Sequence, residues 1–140
     1  MDNDACLFCR FITSKEKEKQ KLYEDNLVYI MLDDFPISRG HSLIILKEHA
    51  PELGSVSSGV ARHIGRMTSL VSRGLKECLK PENIYSASLN EEVKHLHVHL
   101  VPRYSNNKIG FDHFSSPRGK LINYEDVSIL SRYFGLGAKG

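Results

Sequence analysis

Apolar positions along the chain fall into two periods. Between Val56 and Leu79 they recur every three or four residues, at Val56, Val60, Ile64, Met67, Leu70, Val71, Leu75 and Leu79. That spacing predicts a long helix with one buried face. Gly59, Gly65 and Gly74 weaken its intrinsic propensity, but no proline interrupts it before Pro81. Short aliphatic and β-branched runs predict strands at Leu27–Leu32, His41–Leu46 and Ile84–Leu89, with turn residues between them at Asp33–Pro36, Ser38–Gly40 and Asn90–Glu92. The alternating charges of Ser14–Lys21 predict a solvated helix or surface excursion. Asn106, Asn107, Gly110, Pro117 and Gly119 predict a loop over 103–120. Lys120–Phe134 carries enough apolar residues to dock, within a C-terminal segment 121–140.

A second alternation is sharper. In Lys94–Pro102, His95, His97 and His99 take every second position, with Leu96, Val98 and Leu100 between them. On a strand this puts three imidazoles on one face and three aliphatic residues on the other, and Pro102 supplies a strand end. The nearby Ile84–Leu89 run makes an antiparallel hairpin the economical partner. Buried imidazoles need polar partners, so three on one face point to catalysis or metal binding rather than to packing. His41 and His49 flank the second predicted strand, whereas His63 stands isolated on the long helix and reads as a core or surface residue.

Composition narrows the field. With 140 residues, 41% hydrophobic and 26% charged, the chain fits a single domain spanning 1–140. A net charge of +2 gives no ground for an extended nucleic-acid interface. No apolar run approaches a membrane span or a signal sequence, which favours a soluble, cytoplasmic or otherwise intracellular protein. Three cysteines do not form the framework of a secreted miniprotein. Phosphate-binding glycine loops and dinucleotide fingerprints are absent from the sequence, so a nucleotide would have to be held another way.

Histidine offers one. A neutral imidazole can attack an activated phosphorus, and its neighbours can donate hydrogen bonds to phosphoryl oxygens. His97, at the centre of the row, is the favoured nucleophile, with His95 or His99 orienting it. Cys6-Leu-Phe-Cys9 suits a zinc site, a redox pair or two separately packed residues. From its turn context alone, Asp33 is a turn-forming or strand-terminating carboxylate. Ser86–His95 is glycine-poor. Ionised Glu91 and Glu92 cannot donate to phosphate, leaving Ser86, Ser88 or Asn90 as donors, unless the two serines simply alternate along a strand.

The segment His95-Leu-His-Val-His-Leu-Val101, preceded by Asp33, Phe35-Pro36 and Gly40–His49, resembles the histidine-triad (HIT) superfamily over roughly Cys6–Arg103. The resemblance implies an α+β, HIT-like fold with a mostly antiparallel sheet and packed helices, paired as a two-fold homodimer. It implies a nucleotide hydrolase acting at the α-phosphorus of a dinucleoside polyphosphate or nucleoside phosphoramidate, with a purine nucleotide as the expected ligand. His97 would form a nucleotidyl-histidine intermediate, His99 would contact the phosphoryl group, and His41 would orient the row. Asp33 would accept hydrogen bonds from the ribose, and Met31, Phe35 and Ile44 would make apolar contacts to the base. Zinc-bearing members further imply one structural Zn2+ per subunit on Cys6, Cys9, His49 and His95, with no organic cofactor. Nucleotidyl transfer to phosphate or another acceptor is the alternative reaction, although family transferases commonly carry glutamine where this chain has His99. A catalytically weak nucleotide-binding regulator and a mainly structural zinc protein are the other classes.

Overall fold

The computed structural model describes residues 5–121 and 124–137. Parts of the predicted C-terminal segment, at 122–123 and 138–140, therefore lie outside the described residues. Its strands are β1 (Lys21–Glu24), β2 (Val28–Leu32), β3 (Ser42–Leu46), β4 (Asn83–Ala87) and β5 (His97–Arg103). Its helices are α1 (Leu7–Ser14), α2 (Ser58–Leu79), the single turn α3 (Phe111–Phe114) and α4 (Glu125–Gly137). The strands form one antiparallel sheet in the order β1-β2-β3-β5-β4.

Both faces of the central strands are covered. Every residue of β2 and β3 is buried, which explains why these runs read as continuously apolar rather than alternating. One face carries Val28, Ile30, Leu32, Ile44 and Leu100 against Met67, Val71 and Leu75 of α2 and Leu130 and Phe134 of α4. The other carries Tyr29, Met31, Leu43 and Ile45 against Phe8 and Phe11 of α1. The period of α2 follows the predicted stripe. Ser57 caps its start by accepting the Val60 N–H at 3.2 Å, and Lys80 ends it in the left-handed conformation. A Cβ at Gly74 would lie 2.8 Å from Tyr133 and collide with Phe134, so the glycine sets how closely α2 and α4 approach.

The histidine strand differs from its sequence reading at both ends. It begins at His97, leaving His95 in the preceding connection. It also continues through Pro102, which pairs with Ile84 of β4. Proline is tolerated because its missing N–H falls on the edge facing away from β4, beyond the start of β3. There its carbonyl accepts from the Ser38 hydroxyl and from His113 Nε2, the latter at 2.9 Å. Helix α1 and strand β1 bracket the charged stretch and were not legible in it. A left-handed Lys15 ends α1, and Gln20, buried beside β2, donates to Leu32 O at 3.0 Å.

Candidate functional site

The register of β3 on β5 builds the site. His99 lies opposite Leu43 and His97 opposite Ile45, so both histidines share the face covered by α1. The His97 and His99 rings stand 5.0 Å apart, and Phe8 meets the His97 ring edge-on at 4.7 Å. A cavity of about 310 Å³ opens over them, its lining including Phe8, Phe11, Met31, Asp33, Asp34, Phe35, Leu43, Glu92, His97, His99 and Arg118. A second cavity of about 280 Å³ shares His97, His99, Glu92 and Arg118 but is otherwise lined by Leu89, Asn90, Glu91 and Phe114. The histidine pair therefore forms a floor common to two compartments.

Hydrogen bonds fix the tautomers. The His97 Nδ1–H donates to His95 O at 2.7 Å, which leaves its Nε2 with a lone pair. Ile37 N–H donates to His41 Nδ1 at 3.0 Å, so the ring hydrogen of His41 sits on Nε2 and is given to His99 Nδ1 at 2.9 Å. His99 must then carry its own hydrogen on Nε2. Burial lowers the His97 pKa, and burial, reinforced by neighbouring charge, holds His41 down to about 2 and His99 to about 4. All three rings are thus neutral at physiological pH: two donors in relay beside one ring whose Nε2 keeps its lone pair.

Asp33 follows β2 and is buried. Its Oδ1 accepts the Phe35 N–H at 2.9 Å, and its Oδ2 accepts from Arg118 at 3.1 Å. Burial raises its pKa, while the Phe35 N–H and Arg118 act in the opposite direction. Asp33, His41 and His99 also lie within metal-ligand reach of one another. The Ile37 contact commits His41 Nε2 to a hydrogen, however, so the arrangement is a hydrogen-bond relay.

The remaining expected contacts separate. Met31 and Phe35 line the larger cavity. Ile44 does not: it is 1% exposed in the core beneath α2, and Leu43 occupies the cavity wall instead. The expectation missed because a β3 shift of one residue exchanges faces. Ser86 pairs with Leu100 and lines a separate groove with Ile84, Tyr85 and Phe111. Ser88 and Asn90 turn inward to the backbone of His97, the hydroxyl donating to its carbonyl at 2.9 Å and the amide oxygen accepting its N–H at 3.0 Å. Asn90 alone of these three also lines the smaller cavity. Arg118 was missed by sequence reading. It sits in a loop that returns to the sheet through Gly119 N–H to Pro36 O and Leu121 N–H to Asp34 O, and nothing local in the sequence marks that return.

Beside this floor, α1 brings Cys6 and Cys9 to His49 and His95. Cys6 Sγ is 3.3 Å from His95 Nδ1, Cys9 Sγ is 3.2 Å from His49 Nδ1, and the two Nδ1 atoms are 3.2 Å apart. A tetrahedral zinc with bonds of about 2.0–2.3 Å separates its ligand atoms by roughly 3.3–3.8 Å, so the donor set fits. The His95 Nε2–H donates to Leu46 O at 2.6 Å, which aims the Nδ1 lone pair at the thiols. Burial, together with Cys6, raises the Cys9 thiol to about 11. A cation would reverse that cost by favouring the thiolate.

Fold and histidine floor define an α+β protein of the histidine-row type. The sequence model of the HIT domain matches residues 14–106, and the chain belongs to the HIT family. It is 35% identical over 127 residues to an uncharacterized HIT-like protein of Borreliella burgdorferi, covering 86% of this chain and 87% of that one. An adenylylsulfatase of Arabidopsis thaliana is 32% identical over 108 residues, covering 74% of this chain and 54% of that protein. An adenosine 5'-monophosphoramidase of Schizosaccharomyces pombe is 30% identical over 104 residues, covering 71% and 74%. Among solved structures, a Zn-bound histidine triad family protein from Mycobacterium smegmatis superposes with a TM-score of 0.80 at 23% identity, covering 98% of each chain. No described helix is long and apolar enough to cross a membrane.

Proposed function

We propose that the protein hydrolyses a nucleotide at its α-phosphorus through a covalent nucleotidyl-His97 intermediate. The observation that carries this reading is the 2.7 Å bond from His97 Nδ1 to His95 O, which leaves Nε2 unprotonated in a cavity of nucleoside size. His97 Nε2 attacks phosphorus, and the bond to the leaving group breaks with its electron pair, which takes a proton from solvent. His99 Nε2–H donates to the phosphoryl group, steadied by His41. Water then attacks the phosphorus, the phosphorus–nitrogen bond breaks with its electron pair returning to Nε2, and the proton that water gives up balances the one taken by the leaving group, so a nucleoside monophosphate and neutral His97 result. Asp33 takes the ribose, and Met31, Phe35 and Leu43 take the base. Support for a hydrolase comes from the Arabidopsis and Schizosaccharomyces relatives, whose activities both concern adenylate derivatives.

Zinc, bound by Cys6, Cys9, His49 and His95, would act structurally, since four protein ligands leave no position for substrate water. It would fasten α1 and the residues before β5 to the end of β3, keeping Phe8 against His97. The same fold in Mycobacterium smegmatis is Zn-bound. A homodimer would cover the edge strand β4, near which Leu89, Ile109 and Phe111 are 64%, 74% and 90% exposed. Light scattering of the active species tests that assembly: a dimer supports it and an active monomer contradicts it. For the reaction, monophosphate release is measured from an adenosine phosphoramidate and a diadenosine polyphosphate, with and without inorganic phosphate. Release in water alone supports hydrolysis; release only with phosphate would replace it by transfer.

A further inference from the structure

The two compartments over the histidine floor are poor in positive charge. Their described lining includes Asp33, Asp34, Glu91 and Glu92, and Arg118 is its one lysine or arginine. Asp34 is already held by Lys17 at 2.6 Å and by Gln20 at 2.6 Å. Any phosphoryl group placed on His97 and His99 therefore has one nearby lining cation to turn to. That cation is engaged elsewhere: Arg118 Nη1 donates to Asp33 Oδ2 at 3.1 Å and to Phe35 O at 2.8 Å.

The engagement with Asp33 conflicts with the ribose contact proposed for the same carboxylate. Each oxygen of Asp33 already accepts one hydrogen bond, Oδ1 from Phe35 N–H and Oδ2 from Arg118, and His41 Nε2 stands a further 3.5 Å from Oδ2, so Oδ2 is the crowded oxygen. A ribose hydroxyl aimed at this carboxylate competes with the guanidinium. The side chain of Arg118 is 40% exposed and that of Asp33 12%, so the arginine is the partner free to move. The loop that carries it is fastened on its far side, by Gly119 N–H to Pro36 O at 2.7 Å. A released guanidinium consequently stays at the wall shared by the two compartments.

We propose that Arg118 and the substrate exchange partners: the ribose takes the place of Arg118 on Asp33, and the freed guanidinium takes up the phosphoryl oxygens above His97 and His99. The proposal rests on the reading of Asp33 as the ribose acceptor. It makes Arg118 a specificity residue that couples sugar recognition to the charge of the group attached to it. An uncharged nucleoside must break the ion pair and gains nothing in return, whereas a nucleotide converts the displaced cation into a charge-assisted contact.

The coupling predicts effects of opposite sign. Calorimetry with adenosine, 2'-deoxyadenosine and adenosine monophosphate is run on wild type, Arg118→Ala and Arg118→Gln. Glutamine retains a donor for Phe35 O without the charge. In both variants adenosine should bind about threefold tighter, because an ion-pair competitor has gone. Adenosine monophosphate should bind about tenfold weaker. Equal weakening of adenosine and its monophosphate would assign Arg118 to loop packing and overturn the exchange, as would unchanged binding of both. If adenosine and 2'-deoxyadenosine bind alike in every protein, the ribose reading of Asp33 fails instead. A variant that does not melt cooperatively is set aside in favour of the other, whose two ligands still decide the sign.

Discussion

His41 Nε2 donates to His99 Nδ1 across 2.9 Å, and that one contact decides which face of His99 offers a hydrogen to the cavity. The donor is itself fixed by Ile37 N–H at the turn before β3. His41→Ala should leave His99 free to rotate or change tautomer, reducing turnover by about ten- to a hundredfold with a smaller effect on nucleotide affinity. His41→Gln, which retains an N–H donor, should recover part of the loss. Steady-state kinetics with separate kcat and KM distinguish this from a general loss of folding.

Leu43 and Ile44 test the register. Leu43→Val trims the cavity wall and should weaken adenosine binding several-fold. Ile44→Val trims the core beneath α2 and should lower stability by about 0.5–1.5 kcal/mol while leaving affinity intact. Thermal melts and calorimetry on both variants check the assignment; weaker binding in the Ile44 variant alone would place the base on the other face.

The same pair explains what the sequence disclosed and withheld. Periodicity located α2 and the histidine strand, and short apolar runs located β2 and β3, because each must bury at least one face. It could not choose between Leu43 and Ile44, since β3 is buried on both sides and carries no polar alternation to set its phase. Helix α1 was hidden for a related reason: Phe8 and Phe11 are its two buried residues, too few to establish a period. Within the site, the imidazole row and the Cys-x-x-Cys pair are local patterns and were readable. Arg118 reaches Asp33 across 85 positions, and the inward turn of Ser88 and Asn90 depends on tertiary pairing with β5.

The metal centre predicts one zinc per chain in protein purified without added metal. Cys6→Ser should reduce metal content and lower the melting temperature, because the proposed zinc would join α1 to the sheet. Elemental analysis alongside thermal melts checks both. Folded, active protein free of metal, with a melt unaffected by a strong chelator, would contradict the assignment.

Buried neutral histidines also set a pH profile for stability. His41 and His99 take protons at about 2 and about 4 in the fold, against an ordinary value of 6.5. Between those values the unfolded chain binds protons that the folded one refuses, so stability is full above about pH 6.5 and falls as pH drops below it. Denaturant melts from pH 7 to 4.5 should show a steady decline, shallower in His41→Asn. A flat profile in the wild type would mean that these rings are not held neutral.

The central claim is a covalent bond between His97 and the nucleotide. Rapid-quench mixing with an adenosine phosphoramidate, followed by intact-mass and peptide analysis, should find one adenylyl group per active site, carried on His97, formed before steady-state release and absent from folded His97→Ala. An adduct persisting in His97→Ala, or turnover by wild type with no adduct at any quench time, would contradict it.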